Sequence, residues 1–169
     1  MKKLYIIICI FLFICCSSNI HFQQKLKRKE AKMAVLHFSG KGVSKTLRYL
    51  AADELTTLLY VDKKYSVVDR SLVNAVAQEF KIENPYFLSR EKLITVSDSL
   101  SANVIVLGLI ENEKDPGVLE KRENHFTITL RFLHGKSSDV MGMIYEKESS
   151  FEPPFKVVPG MLVRMVNKL

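Results

Sequence analysis

The stretch Gly40-Lys41-Gly42-Val43-Ser44-Lys45-Thr46 is the segment most suggestive of chemistry, because it joins an apolar run to a helical pattern as a phosphate loop does. A phosphate loop needs glycine directly before its lysine, so that backbone amides can approach the phosphate. Ser44 stands there instead. The glycines then read as freedom for a strand-to-helix turn, and no nucleotide is expected. His37, His125 and His134 have neither HxH nor HxxxH spacing, so no shared metal site is expected. Asp53/Glu54 and Glu146/Glu148 are carboxylate pairs that could do acid–base work, but their patterns place them on solvated faces. Ser71 beside Asp69 lacks a histidine partner and a nucleophile elbow. Met141, Met143, Met161 and Met165 read as core filler. The expectation is a protein with no catalytic, cofactor or metal residues.

The cysteines point elsewhere. All three, Cys9, Cys15 and Cys16, lie in the first 16 residues, which excludes an internal disulfide, a thiolate zinc site or a cysteine nucleophile further on. Lys2 and Lys3 precede thirteen uncharged apolar residues from Leu4 to Cys16. A spanning helix needs about 20 such residues, whereas this length suits an export signal. The run ends Phe13-Ile14-Cys15-Cys16-Ser17-Ser18. That ending resembles the lipobox of bacterial lipoproteins, in which the signal is cut before a cysteine that carries diacylglycerol. Cys16 is assigned as the lipidated residue, because the fairly small Cys15 would precede the cut. Cys15 is the alternative, with bulky Ile14 before it. An uncleaved anchor and a plain export signal remain the competing readings. Residues 1–15 are thus expected to be a signal peptide.

Residues 16–32 are expected to be the lipidated cysteine and a polar tether, either solvated or in contact with a membrane surface. The formal net charge of +7 belongs almost wholly to this end. Lys25, Lys27, Arg28, Lys29 and Lys32 face only Glu30, and the other 17 of the 18 acidic residues lie beyond it. The remainder is nearly neutral, which removes the basic footprint of a nucleic-acid-binding domain.

Residues 33–169 read as one α/β domain. MAVLHF (33–38) is a short buried strand. Leu47, Leu50, Ala51, Leu55, Leu58 and Leu59 form a helical stripe within Val43–Asp62. YSVVD (65–69) is a second strand. Asp69 caps a helix bearing Leu72, Val73, Val76, Ala77 and Phe80. Asn84-Pro85 breaks it, and Ser89 caps the next helix, with Leu93, Val96 and Leu100 on its face. NVIVLGLI (103–110) is a central strand covered on both sides. Residues 111–123 are charged and contain the turn signal Asp115-Pro116-Gly117. Phe126, Ile128, Leu130 and Phe132 alternate with polar residues, the period of a half-buried antiparallel strand. Val140–Ser149 returns as its partner. Pro153-Pro154 ends that strand, and residues 159–168 form a last helix with Pro159 in its first turn. The expected fold is α/β, a three-layer-like mixed sheet. Its order is βαβααβ, followed by an antiparallel hairpin and a C-terminal helix.

In that order and spacing, AVLHF, YSVVDRSLVNAVAQEF, LSANVIVLGLI and FTITLRFLHGKSSDVMG resemble the periplasmic domain of curli-secretion-channel lipoproteins (CsgG). They are similar also to the amino-terminal domain of TolB and to the LpoB-like lipoprotein activators of penicillin-binding proteins. The resemblance spans about residues 33–150. It implies a lipid-anchored lipoprotein of the bacterial envelope, at the outer membrane with its domain in the periplasm. That protein would be a non-enzymatic module binding protein partners in an assembly or regulatory role, with self-association as a further expectation. The departures are informative. Residues 111–123 are too few for the membrane-spanning hairpin of the curli channel, whose two strands need about 9–11 residues each. The tether is also shorter than the arm of the activators. A channel subunit lacking its own hairpins, or a cell-wall enzyme, are the alternatives.

Overall fold

The computed structural model describes residues 20–22, 31–63, 65–114 and 123–169. The expected signal peptide and both candidate lipidation residues, Cys16 and Cys15, lie outside them.

Seven strands form one mixed sheet. They are β1 (Ile20–Phe22), β2 (Lys32–Val35), β3 (Ser39–Lys41), β4 (Ser66–Val67), β5 (Val104–Lys114), β6 (Asn124–His134) and β7 (Val140–Ser150). Across the sheet the order is β1-β7-β6-β5-β2-β4, with β3 also beside β5. Among the described residues the α-helices are α1 (Lys45–Val61), α2 (Arg70–Glu79), α3 (Arg90–Ser99) and α4 (Pro154–Asn167). A single 3₁₀ turn covers Pro85–Phe87. The expected class, a mixed α/β sheet with a final helix, is what the chain forms.

β5 is the pivot. On one side it pairs in parallel with β2 through Val104–Val106 and with β3 through Leu109–Glu111. On the other it pairs antiparallel with β6 along its whole length. The first apolar run is therefore two strand pieces broken at Leu36-His37-Phe38. Phe38 in this break packs on Gly108 of β5. A Cβ there would lie 2.5 Å from the Phe38 ring, so the ring occupies the space that the glycine leaves.

Alternation along the strands sends side chains to two faces. Met33, Val35, Val104, Val106, Phe126, Ile128, Leu130, Phe132 and Ile144 pack under α1 and α4. Ala34, Leu36, Ile105, Leu107 and Leu133 pack under α2 and α3. This is the expected three-layer arrangement. The anticipated caps also form. Asp69 accepts from Ser71 N–H at 2.8 Å, and Ser89 accepts from Lys92 N–H at 3.3 Å.

Several expectations give way. Leu50 and Leu72 sit on helical stripes but are 55% and 45% exposed; Leu50 lies on an open groove between α1 and α4. The second strand shrinks to Ser66–Val67. β5 extends into the charged segment as far as Lys114, since β6 offers it a partner throughout. α4 starts at Pro154, five residues earlier than expected, so Pro159 lies inside the helix. Proline suits the first helical position, which is why Pro154 opens the helix instead of barring it. The stretch expected to be tether contributes β1, which pairs with β7 at Gly142–Ile144.

Candidate functional site

The phosphate-loop-like segment is committed to packing. Gly42 has φ +69°, and a Cβ on it would lie 2.1 Å from the Asn112 carbonyl oxygen. The glycine is needed for backbone conformation and close approach together. Ser44 caps α1, its hydroxyl accepting from Leu47 N–H at 3.2 Å. Lys45 is exposed, with its ammonium 5.9 Å from the Tyr49 ring centre.

The three histidines lie apart. His125 and His134 sit at opposite ends of β6, facing Glu113 and Val104 on β5. His125 Nδ1 is 2.7 Å from Ser149 Oγ, and His134 Nδ1 is 3.4 Å from Ser137 Oγ. His37 is only 3% exposed and stacks on Tyr49 with ring centres 4.9 Å apart. Its Nε2 is 3.2 Å from the Glu83 carbonyl oxygen. Burial lowers its pKa below the ordinary 6.5; the Glu83 contact opposes this, and the positive charges of Arg48, Arg70 and Lys45 add to it. Among the described residues no three metal-capable side chains come together.

Ion pairs take up three of the four carboxylates of the two pairs, and Glu54 stays exposed without one among the described residues. Asp53 takes Arg70 Nε at 2.7 Å, while Arg70 also donates to the Val35 carbonyl. Glu146 was expected on a solvated face; it is 7% exposed instead. It lies on the face of β7 that α4 covers, where Arg164 Nε approaches to 2.5 Å and Lys168 Nζ to 2.9 Å. Arg164 bridges to Glu148 as well. A buried carboxylate must be paired, and the two cations come from the last turn of α4 and from its C-cap Lys168. Ser71 bonds Asp69 and belongs to the α2 cap. Of the methionines, Met161 and Met165 are fully buried, while Met141 and Met143 are half-buried.

What the side chains leave open is a surface. α2 and α3 cover β2 and part of β5, but of β6 they reach only Leu133. The rest of that face on β5, β6 and β7 has no covering α-helix among the described residues, and the 3₁₀ turn Pro85–Phe87 packs at its β5 side. Register puts Leu109, Thr129 and Tyr145 in one cross-strand row, Glu111, Thr127 and Lys147 in the next, and Arg131 beside Met143. The Arg131 guanidinium stands 4.4 Å from the Tyr86 ring centre. Burial raises the Tyr86 pKa, with Arg131 opposing. Phe87, 72% exposed, meets Tyr86 edge-on at 5.4 Å. Aromatic rings, an arginine and a methionine on a flat half-buried sheet have the composition of a protein interface. The alternation of Thr127, Thr129 and Arg131 marked this side as polar. The ring contribution from Tyr86 and Phe87 comes from a turn distant in sequence.

The molecule so defined is a three-layer α/β domain with one open sheet face. No family model matches the chain, and no curated protein matches it in sequence. Solved structures do match. A PelC dodecamer from Paraburkholderia phytofirmans superposes with a TM-score of 0.63 at 13% identity, over 91% of this chain and 97% of its own. Lipoprotein GNA1162 from Neisseria meningitidis superposes at 0.57 and 13% identity, over 82% of this chain and 96% of its own. The LpoB C-terminal domain from Escherichia coli reaches 0.47 at 12% identity, over 71% of this chain and 83% of its own, a superposition too loose to carry argument. At these identities the likeness is one of fold alone.

Proposed function

We propose that the chain is a lipid-anchored lipoprotein of the bacterial envelope whose domain binds protein partners and carries out no catalysis itself. The open face of β5–β7, flanked by Tyr86 and Phe87, is the observation that carries this reading. Its composition suits a partner surface. The apolar run ending at Cys15-Cys16 supports export and lipidation, and the similar fold of a Neisseria lipoprotein agrees with it. The resemblance to envelope lipoproteins supports an outer-membrane anchor with the domain in the periplasm.

The natural test is crosslinking in intact cells followed by pull-down of the full-length protein. Tyr145→Asp with Thr129→Asp places charge in the centre of the face. The pair should lose the adducts of the parent while melting within a few degrees of it. Adducts that persist unchanged would remove the open face from the reading.

Self-association is a second reading, favoured by the dodecameric state of the PelC structure with the similar fold. Light scattering on the purified protein distinguishes the two. A discrete oligomer dispersed by the same pair of substitutions would make the face an interface between copies.

A further inference from the structure

β1 changes where an N-terminal anchor sits. Ile20 pairs with Ile144 and Phe22 with Gly142, antiparallel. The N-terminal end of β1 therefore points toward the Ser150 end of β7. Cys16 is four residues from Ile20, a reach of at most about 14 Å. Tied only to β2, the same cysteine would have roughly 55 Å of slack.

The corner it is drawn to is apolar. Just beyond β7, Phe151 is 65% exposed, and in the first turn of α4 Phe155 is 64% exposed. Phe155 lines a groove of about 320 Å³ between α1 and α4, together with Leu50, Val158 and Leu162. Leu50 is itself 55% exposed. Nearby acids are largely neutralised, Glu152 by Lys156, Glu148 by Arg164 and Asp53 by Arg70. Glu54, also on the groove, has no ion-pair partner among the described residues. Exposed aromatic and aliphatic side chains beside a lipid attachment point fit the headgroup–acyl boundary of a bilayer.

We infer that the corner formed by Phe151, Phe155 and Leu50 rests on the membrane that holds the anchor, with β1 as the clamp that sets this orientation. The inference rests on the lipid-anchor reading and adds a defined contact surface to it. The domain then lies against the bilayer by the end of its β7 edge, and β4 points away. Five strand spacings separate β1 from β4, about 24 Å.

The chain contains no tryptophan, so a single introduced one reports without background. Phe151→Trp and Phe155→Trp probe the corner. Tyr60→Trp is the control, since Tyr60 is 63% exposed in the last turn of α1, next to the β4 edge. Full-length lipidated protein is bound to phosphatidylethanolamine–phosphatidylglycerol vesicles containing headgroup spin-labelled lipid. Quenching should be several-fold stronger at positions 151 and 155 than at 60. Adding Ile20→Pro and Phe22→Pro to Phe155→Trp should pull its quenching down toward the control, while the protein still floats with the vesicles. Equal quenching at 155 and 60 in floating protein would overturn the inference and leave the anchor standing. Quenching at 155 that survives the two prolines would remove β1 as the clamp. Protein that fails to float with Cys15 and Cys16 intact would overturn the anchor reading and the membrane contact with it.

Discussion

At the scale of single residues, polar groups that resemble sites turn out to be spent on structure. Ser44 is a cap, Asp53 holds Arg70, and Glu146 is sealed by Arg164 and Lys168. His37 is the buried group with a pH consequence. Its folded pKa lies below 6.5, chiefly through burial. Between those two values the unfolded chain binds more protons than the folded one. Stability is therefore complete above 6.5 and falls as the pH drops through the window below it. Urea midpoints measured at neutral pH and near pH 5 should decline in the parent; in His37→Phe the decline should be smaller. Equal declines would mean that carboxylates alone set the acid response. The other residue-scale expectation concerns Cys16. Cys16→Ser should abolish metabolic labelling with a palmitate analogue. Full labelling that persists there and vanishes in Cys15→Ser would move the lipid to Cys15.

At the scale of elements, local rules found the elements that carry their own caps and stripes. The caps at Asp69 and Ser89 and the stripe Leu93-Val96-Leu100 are legible because each depends only on neighbours within a turn or two. The length of β5 was not legible, because strand residues 111–114 persist only where β6 pairs with them. α4 shows a local rule overruled. Pro159 removes the N–H that would serve the Phe155 carbonyl, yet Val158, Met161, Leu162 and Met165 are buried on the sheet and hold the helix through it. Pro159→Ala should therefore stabilise the domain, by roughly 1–3 kcal/mol less the gain in unfolded-chain freedom. Thermal unfolding checks this. A variant that melts below its parent would show that the ring's own packing against α1 outweighs the missing hydrogen bond.

At the scale of the whole molecule, β1 and the backbone of Lys32 tie the N-terminal stretch to the sheet. Lys32 N–H donates to Asn103 Oδ1 at 2.8 Å, and Asn103 N–H returns to the Lys32 carbonyl at 2.9 Å. A protein beginning at Met33 keeps both apolar layers and should fold without detergent. It loses these bonds and the β1 ladder, so it should melt lower than one beginning at Ser17, by about 1–2 kcal/mol in unfolding free energy. Equal melting of the two would mean that β1 adds nothing to the folded state. A shorter protein that aggregates or stays unfolded would mean that the boundary at Met33 cuts into the domain.

The sequence alone determined what depends on near neighbours. The α/β class followed from the switch between periods of 3.6 and 2, while the expectation of export rests on an unbroken apolar run and the expectation of no phosphate loop on one side chain at Ser44. The resemblance to envelope lipoproteins added an expectation of fold, and the mixed α/β part of that expectation holds. Tertiary structure decided the rest, because burial depends on which layer ends where. Glu146 and Glu148 alternate like surface residues, yet one is buried because α4 lies over it. Leu50 repeats like a core residue, yet it is 55% exposed, on the open groove between α1 and α4. The open face of β5–β7 exists only because α2 and α3 end at Leu133. The turn of the N-terminus along β7 depends on a three-residue pairing between segments some 120 residues apart, a contact that no local period records.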